Sequence, residues 1–265
     1  MKNILFFICL IILFTSCKAK QEHSIPLKIL SYNIRHGVGL DTILDLSRSA
    51  EIIRASAPDL VGLQEIDNRC SRSDSINQTD YLAEQTNMQG TFGKFMDYQG
   101  GAYGMATLSG KPIISTKLLQ LPNAKYEPRI AIVQEIQIAA NCTIVFANVH
   151  FDWINEQEGS GIRLSQAESL VKYIDTLKKP VIITGDFNCT PESAAMQYFK
   201  EQSFVFIAKG EDNLSYQGEN PVEIDHVIYR NTDEVKFRLK SVQLLNEPVV
   251  SDHRPLLVAL EVIVY

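Results

Sequence analysis

Several familiar signatures are missing from this 265-residue chain. Its five cysteines include no Cys-x-x-Cys pair and its five histidines no His-Glu-x-x-His helix, which argues against a zinc site. Positive charge is not in excess: 25 Lys+Arg stand against 31 Asp+Glu, for a net charge of -6, so bulk attraction to polyanions is not how this chain binds a partner. No repeat, low-complexity tract or Pro/Gly linker divides residues 25–265. With 45% hydrophobic and 21% charged residues, disorder, collagen and coiled coil are excluded for the chain as a whole. The chain is also too long for a disulfide-stapled mini-domain and long enough to bury a full apolar core.

One long apolar run exists, Ile4 to Phe14 behind Lys2. It is shorter than the ~20 residues a spanning helix needs and has the plan of a secretory signal. Leu13-Phe14-Thr15-Ser16-Cys17 resembles a bacterial lipobox, with Phe14 where leucine is usual. The expectation is a signal peptide over residues 1–16, lipidation at Cys17, a polar tether over 17–25, and one domain over 26–265. The mature protein is then exported and held at the periplasmic or outer-membrane face by its lipid alone. Cys70, Cys142 and Cys189 remain; an odd number at irregular spacing reads as buried free thiols rather than a disulfide framework.

Apolar, β-branched runs of strand length recur at 27–34, 59–63, 105–108, 112–121, 130–138, 143–149, 181–184, 222–229, 235–245 and 255–264. Helical patterns lie between some of them, at 44–55, 81–87, 162–177 and 192–200. So many strands, with helices in both halves, fit two packed sheets with helices outside them. Periodicity alone leaves an open α/β sheet as the alternative.

The informative residues are those at which the runs end. Asn33, Gln64-Glu65, His150, Gly185-Asp186-Phe187-Asn188, Asp225-His226 and Ser251-Asp252-His253 each lie at the edge of an apolar run. One such end is ordinary turn chemistry. Six suggest a common rim to which strands deliver carboxylate, amide and imidazole groups. Glu65, Asp186, Asp225 and Asp252, with the amides Asn33 and Asn188, are hard oxygen donors suited to Mg²⁺ or Mn²⁺. A magnesium ion beside a histidine suits attack on phosphate. If 186–188 is extended, Asp186 and Asn188 point to the same side.

This series resembles the endonuclease/exonuclease/phosphatase superfamily of deoxyribonuclease-I-like metal-dependent phosphoesterases, from Ser31-Tyr32-Asn33 to Ser251-Asp252-His253. The resemblance implies a four-layer α/β sandwich of two packed, mainly antiparallel sheets flanked by helices. It also implies hydrolysis of a phosphate ester by in-line attack of water. Glu65 matches the principal metal carboxylate, Asn33 the amide organising metal and phosphate, and Asp252 a second acidic group near the metal. Asp186 matches the residue that positions or deprotonates the water, Asn188 the partner holding the phosphate, and His253 with Asp225 an oriented imidazole beside it. His150 matches a second histidine near the leaving group. Arg129 resembles a recurrent phosphate-binding arginine. The segment 103–109 departs from many relatives in lacking an asparagine near Met105 or Ala106.

Tyr103, as a substrate-binding residue, and His36 are candidates that lie near expected site loops. His226, next to Asp225 on a strand, is expected to face the other way. Arg163 could reach the site or make a helix-surface ion pair. The substrate expectation is a phosphate ester: a small diester or lipid headgroup first, with DNA, RNA or a phosphomonoester as alternatives, acted on by a monomer. The specificity loops are 67–78, where Arg69 and Arg72 could touch a nucleic-acid backbone, and 152–161, which carries Trp153 among acidic residues. A non-catalytic binding lipoprotein on the same scaffold is the reading from another class.

Overall fold

A computed structural model describes residues 23–122, 126–154 and 156–265. The signal segment, Cys17 and most of the expected tether lie outside these residues. The first strand, β1 (His23–Asn33), begins inside the stretch expected as tether, because His23 to Ile25 pair with Val264 to Val262 of the last strand. The remaining strands are β2 (Leu60–Asn68), β3 (Gln89–Tyr98), β4 (Gly101–Ser109), β5 (Ile113–Gln120), β6 (Ile130–Ala139), β7 (Cys142–His150), β8 (Val181–Asp186), β9 (Val205–Phe206), β10 (Asp225–Arg230), β11 (Val235–Leu244) and β12 (Leu256–Val264). The α-helices are α1 (Leu46–Ser56), α2 (Gln78–Thr86), α3 (Glu156–Leu177) and α4 (Ala194–Glu201). The strands form two six-stranded sheets, ordered β11-β12-β1-β2-β4-β3 and β5-β6-β7-β8-β10-β9. Each sheet is antiparallel except for its central pair: β1 and β2 in one, β7 and β8 in the other, run parallel. Helices link those parallel pairs, α1 from β1 to β2 and α3 from β7 to β8, as parallel neighbours require.

The period of two along these strands builds the layers. Leu27 and Ile29 of β1, Leu60 of β2, Ile144 and Phe146 of β7, Ile182 of β8 and Val227 of β10 fill the space between the sheets. The alternate residues Leu30, Tyr32, Val61 and Leu63 pack under Leu46, Ala50 and Ile53 of α1. Val145, Ala147, Val149, Val181 and Ile183 pack under Ala167, Leu170, Val171 and Ile174 of α3. Helices therefore cap both outer faces, and the four-layer arrangement expected from the sequence is present. Asp45 caps α1 and Asn77 caps α2, each side chain accepting a backbone N–H of the first turn. Two strands escaped sequence reading. β3 is an edge strand with two glycines and only Gly93 and Phe95 buried, and β9 is two residues long.

Along the inter-sheet layer the residues change from apolar to polar toward one end of the central pairs. On β1 the inward residues run Leu27, Ile29, Ser31, Asn33, and on β7 they run Ile144, Phe146, Asn148, His150. Where the polarity changes, the sheets interlock by hydrogen bonds: Gln64 Nε2 donates to Asn148 Oδ1 at 2.7 Å, and Asn148 Nδ2 donates to the carbonyls of Leu63 and Ala106 at 3.0 and 2.9 Å. Gly62 permits this approach, since a Cβ there would lie 2.5 Å from Thr184 Cγ2 and 2.6 Å from Asn148 Oδ1. Cys70, Cys142 and Cys189 are buried and unbridged. No described helix is long and apolar enough to cross a membrane. Gly62→Ala should overpack this interlock and lower the unfolding free energy by about 1–3 kcal/mol in urea titrations; an unchanged midpoint would contradict the tight approach.

Candidate active site

The C-terminal ends of β1, β2, β7 and β8 lie on one rim, and the antiparallel β10 and β12 bring their N-terminal ends to it. Asp225 opens β10 rather than following a strand, as the sequence suggested; the antiparallel register sets it opposite Asp186. Glu65 sits in a β-bulge between β2 and β4 with a left-handed backbone, φ 57°, which turns its carboxylate toward the rim. Gly185, at φ 149°, lets β8 lie against β7, because a Cβ there would be 2.1 Å from the Val149 carbonyl oxygen. The segment after Asp186 is not extended. Asn188 turns back at φ 50°, and its backbone N–H donates to Asp186 Oδ1 at 2.9 Å. Its side-chain amide donates to the Phe151 carbonyl at 3.0 Å, so Asn188 ties β7's end to β8's.

Asp186 is the centre of the arrangement. Asn33 Nδ2 donates to Asp186 Oδ2 at 3.2 Å and to Glu65 Oε1 at 3.1 Å, joining carboxylates from the two sheets. Two imidazoles approach the same Asp186 oxygen, His150 Nε2 and His253 Nε2, each at 3.6 Å. His253 Nδ1 is 2.8 Å from Asp225 Oδ2. Ser251 Oγ donates to the Asn33 carbonyl at 2.7 Å and accepts the His253 N–H at 3.2 Å, fixing the 251–253 loop to β1. Tyr216 lies edge-on to the His253 ring, with 5.1 Å between centroids.

A cavity of about 890 Å³ opens over this cluster, lined among others by Glu65, Tyr103, Arg129, His150, Asp186, Asn188, Asp252 and His253. Asn33 and Asp225 lie buried beneath it. Asn33, Glu65, His150, Asp186, Asn188, Asp225, Asp252 and His253 therefore meet at one place, whereas Gln64 joins the inter-sheet seam, Phe187 enters the core and His226 faces away from the cavity. Asn33 turns its oxygen to the Arg35 N–H at 3.0 Å, and its nitrogen aligns Glu65 and Asp186.

Burial and neighbouring charge set the protonation of the cluster. Burial drives the Asp186 carboxyl up to about 7, with His253 opposing and Asp225 adding. For His253 burial acts downward, but Asp225 and then Asp186 outweigh it and carry the imidazole up to about 10. Asp225 would be raised by burial, yet the His253 charge and hydrogen bond hold it below the usual carboxylate range. His150 is pushed well below its ordinary value, first by burial and then by Arg129 and His253. At neutral pH these shifts favour a charged His253 and a neutral His150.

Arg129 is fully buried, with Nη2 3.0 Å from Glu127 Oε2 and its guanidinium over the Phe95 ring; Nε and Nη1 have no hydrogen-bond partner among the described residues. His36 comes within 4.0 Å of Glu65 Oε2. Arg163 lines the cavity rather than pairing on the helix surface: its Nη1 holds the carbonyls of Asp152 and Ile154 at 2.9 and 2.7 Å. Arg72 is held by Asp67 in two bonds of 2.8 and 2.9 Å. Trp153 is half exposed at the cavity wall and stacks on Tyr126. Sequence reading missed Arg35, whose Nε is 3.5 Å from Asp252 Oδ2, and the 215–217 loop, where Ser215 Oγ accepts the Asp225 N–H at 2.9 Å. The 215–217 loop follows no apolar run, and Arg35, directly after the run over 27–34, is not one of the carboxylate, amide or imidazole types that drew attention to the run ends.

Which carboxylates face an ion follows from which are already engaged. Asp186, Asp225 and His253 lie close enough to surround one, their ligand atoms within 4.8 Å of one another. His253 Nδ1 is committed to Asp225, however, and this pair is complete as a carboxylate–imidazole dyad. Glu65 and Asp252 remain, both on the cavity wall; burial raises Glu65, Asn33's bond opposes, and Asp252 raises it further. Two like charges on hard oxygen donors at a partly buried site fit a divalent cation. In protein freed of metal, NMR titration should find the His253 imidazole still charged at pH 8, and Asp225→Asn should bring its titration down toward the ordinary histidine range; equal titration in both proteins would contradict the dyad.

A family model described as Endonuclease/Exonuclease/phosphatase family matches residues 30–253. Comparison with curated proteins gives no match. Solved structures share the fold. An endonuclease/exonuclease/phosphatase from Beutenbergia cavernae is 18% identical with a TM-score of 0.74, over 89% of this chain and 71% of its own. One from Bacteroides vulgatus is 22% identical with a TM-score of 0.69, over 89% and 98%. The human Nocturnin catalytic domain with bound sulfate is 19% identical with a TM-score of 0.70, over 91% and 96%. The family match spans both sheets and every residue of the cluster, from Asn33 to His253, and the chain belongs to the endonuclease/exonuclease/phosphatase family.

Proposed function

We propose that the protein is a Mg²⁺-dependent hydrolase of phosphate esters, a phosphodiesterase first, and that Asp186 is its general base. The observation that carries this reading is the setting of Asp186 between Asn33, Asn188 and two imidazoles of unlike charge. His253 is charged at neutral pH with Nδ1 given to Asp225, so it has no lone pair for a water proton. Asp186 has acceptor capacity and a carboxyl raised toward neutrality, the range in which a base works best.

Glu65 and Asp252 would hold the cation, aligned through Asn33; when bound it supplies neutralisation of charge on the phosphoryl and leaving oxygens. The protein's own groups do the rest. Asp186 takes a proton from water as the water oxygen bonds to phosphorus and the bond to the leaving oxygen breaks. His253 directs Nε2–H at the charge that develops on phosphate, while Asp225 keeps Nδ1–H in place. Neutral His150 flanks Asp186 from the β7 side, and the Arg129 guanidinium adds positive charge to the cavity wall. A small diester or lipid headgroup is favoured over a nucleic-acid backbone, because Arg72 is paired with Asp67 and the chain as a whole is acidic.

Wild-type protein assayed on phosphodiesters should turn over with Mg²⁺ and stop in chelator. Asp186→Asn should lose roughly 10²–10⁴-fold in kcat, as removal of a general base does. Glu65→Ala should be inactive and should also lose the rise in melting temperature that Mg²⁺ or Mn²⁺ gives the wild type. Metal-independent turnover, or an active Glu65→Ala protein, would overturn the reading; a folded, metal-stabilised protein that cleaves neither mono- nor diesters would be a binding protein.

The lipobox-like segment supports a place outside the cytoplasm, on a lipid anchor at Cys17. Radiolabelled palmitate should enter the full-length chain in a bacterial host and fail to enter Cys17→Ser. Equal labelling of both would contradict the anchor.

A further inference from the structure

Behind the site, on the face of β10 away from Asp225, lies a buried chain of polar side chains with no part in the chemistry above. His226 Nε2 is 2.9 Å from the Cys189 carbonyl oxygen, and its Nδ1 is 3.2 Å from Lys209 Nζ. Lys209 also donates to Glu223 Oε1, and Asn213 Nδ2 donates to Glu223 Oε2 at 2.9 Å. The side chains of Lys209 and His226 are only 1% and 3% exposed.

The bonding partners fix the state of the ring. An ammonium only donates, so Nδ1 must be an acceptor; a carbonyl only accepts, so Nε2 must carry the hydrogen. His226 is therefore neutral, in a single tautomer, and bridges two segments that do not otherwise share a strand. One is the turn after β8, where Cys189 follows Asn188. The other is the loop from Lys209 to Glu223, closed at its base by the Lys209–Glu223 pair.

That loop reaches over the reacting residues. Ser215 Oγ accepts the N–H groups of Ile224 and Asp225 at 3.1 and 2.9 Å, and Gln217 N–H donates to the Asp252 carbonyl at 2.8 Å. Arg254 N–H donates to the Ser215 carbonyl at 2.7 Å, and Tyr216 packs on His253. Its two ends, at 209 and 223, are the points that the buried chain ties down.

We propose that His226, with the Lys209–Glu223 pair, is a positioning device for the catalytic dyad: it clamps the 209–223 loop and the turn bearing Asn188 to β10, and so sets Asp225 and His253 against Asp186. These residues act through others and touch no substrate. The proposal rests on the phosphodiesterase reading, so the test keeps the two apart.

His226→Leu keeps bulk and loses both bonds, whereas His226→Gln retains one acceptor and one donor. On a diester with saturating Mg²⁺, His226→Leu should lose about 10–100-fold in kcat with KM within twofold of wild type, and His226→Gln should recover most of the loss. Amide exchange of residues 209–223 should quicken in His226→Leu. Should that variant be poorly folded, Lys209→Met/Glu223→Leu, which leaves no unpaired buried charge, should show the same kcat loss. Either variant folded with wild-type kcat, or a loss that His226→Gln does not relieve, would overturn the positioning role. A wild type with no activity would instead sink the phosphodiesterase reading.

Discussion

The structure depends on one juxtaposition: the side-chain amide of Asn33, at the end of β1, bonded at once to Glu65 in its own sheet and to Asp186 in the other. That contact is possible only because the inter-sheet layer stays narrow to its rim. Aliphatic packing among Ile29, Leu60, Phe146 and Ile182 brings the sheets together, Gly62 lets them close, and Gln64 with Asn148 completes the seam in hydrogen bonds. Beyond the seam the layer changes from apolar to polar along the strands, so Asn33, Glu65, His150, Asp186 and Asp225 stand on strands, while Asp252 and His253 come from the 251–253 loop that Ser251 ties to β1.

The same narrowness sets the charge states. A carboxylate placed there without a partner is driven toward protonation, and an imidazole toward neutrality. Asp186 and His150 follow that rule; Asp225 and His253 break it because each supplies the other's counter-charge at 2.8 Å. The two aspartates are thus shifted in opposite directions, and so are the two histidines, set by who pairs with whom. Acid–base roles follow from the pairing and not from residue type.

Much of this was legible in the sequence, for a physical reason. Strands covered on both faces read as near-continuous apolar runs, so a polar residue at the end of one is conspicuous, and Asn33, His150 and Asp186 stood out on that ground. Apolar runs and period-3.6 patterns likewise located ten of the strands and all four α-helices, though β2 continues to Asn68 beyond its expected end at 63 and α3 begins at Glu156 ahead of its expected start at 162. What stayed hidden has no periodic signature. The bulge that turns Glu65 depends on pairing with β4, and the direction of β10 depends on its register with β8. The ties of Arg72 to Asp67 and of Arg163 to the 152–154 backbone depend on loop paths that a local pattern does not encode. Ser215 and Tyr216 reach the site from a loop without regular structure. His226 could be assigned a face from alternation alone, but its partners Lys209 and Cys189 could not be inferred.

The central claim is that Glu65 and Asp252 are left to a cation because Asp225 has taken His253. Anomalous diffraction from crystals soaked in Mn²⁺ tests it most directly. The account predicts one peak within ligand distance of Glu65 and Asp252, with the His253–Asp225 hydrogen bond intact. A peak coordinated by His253 and Asp225 would contradict it.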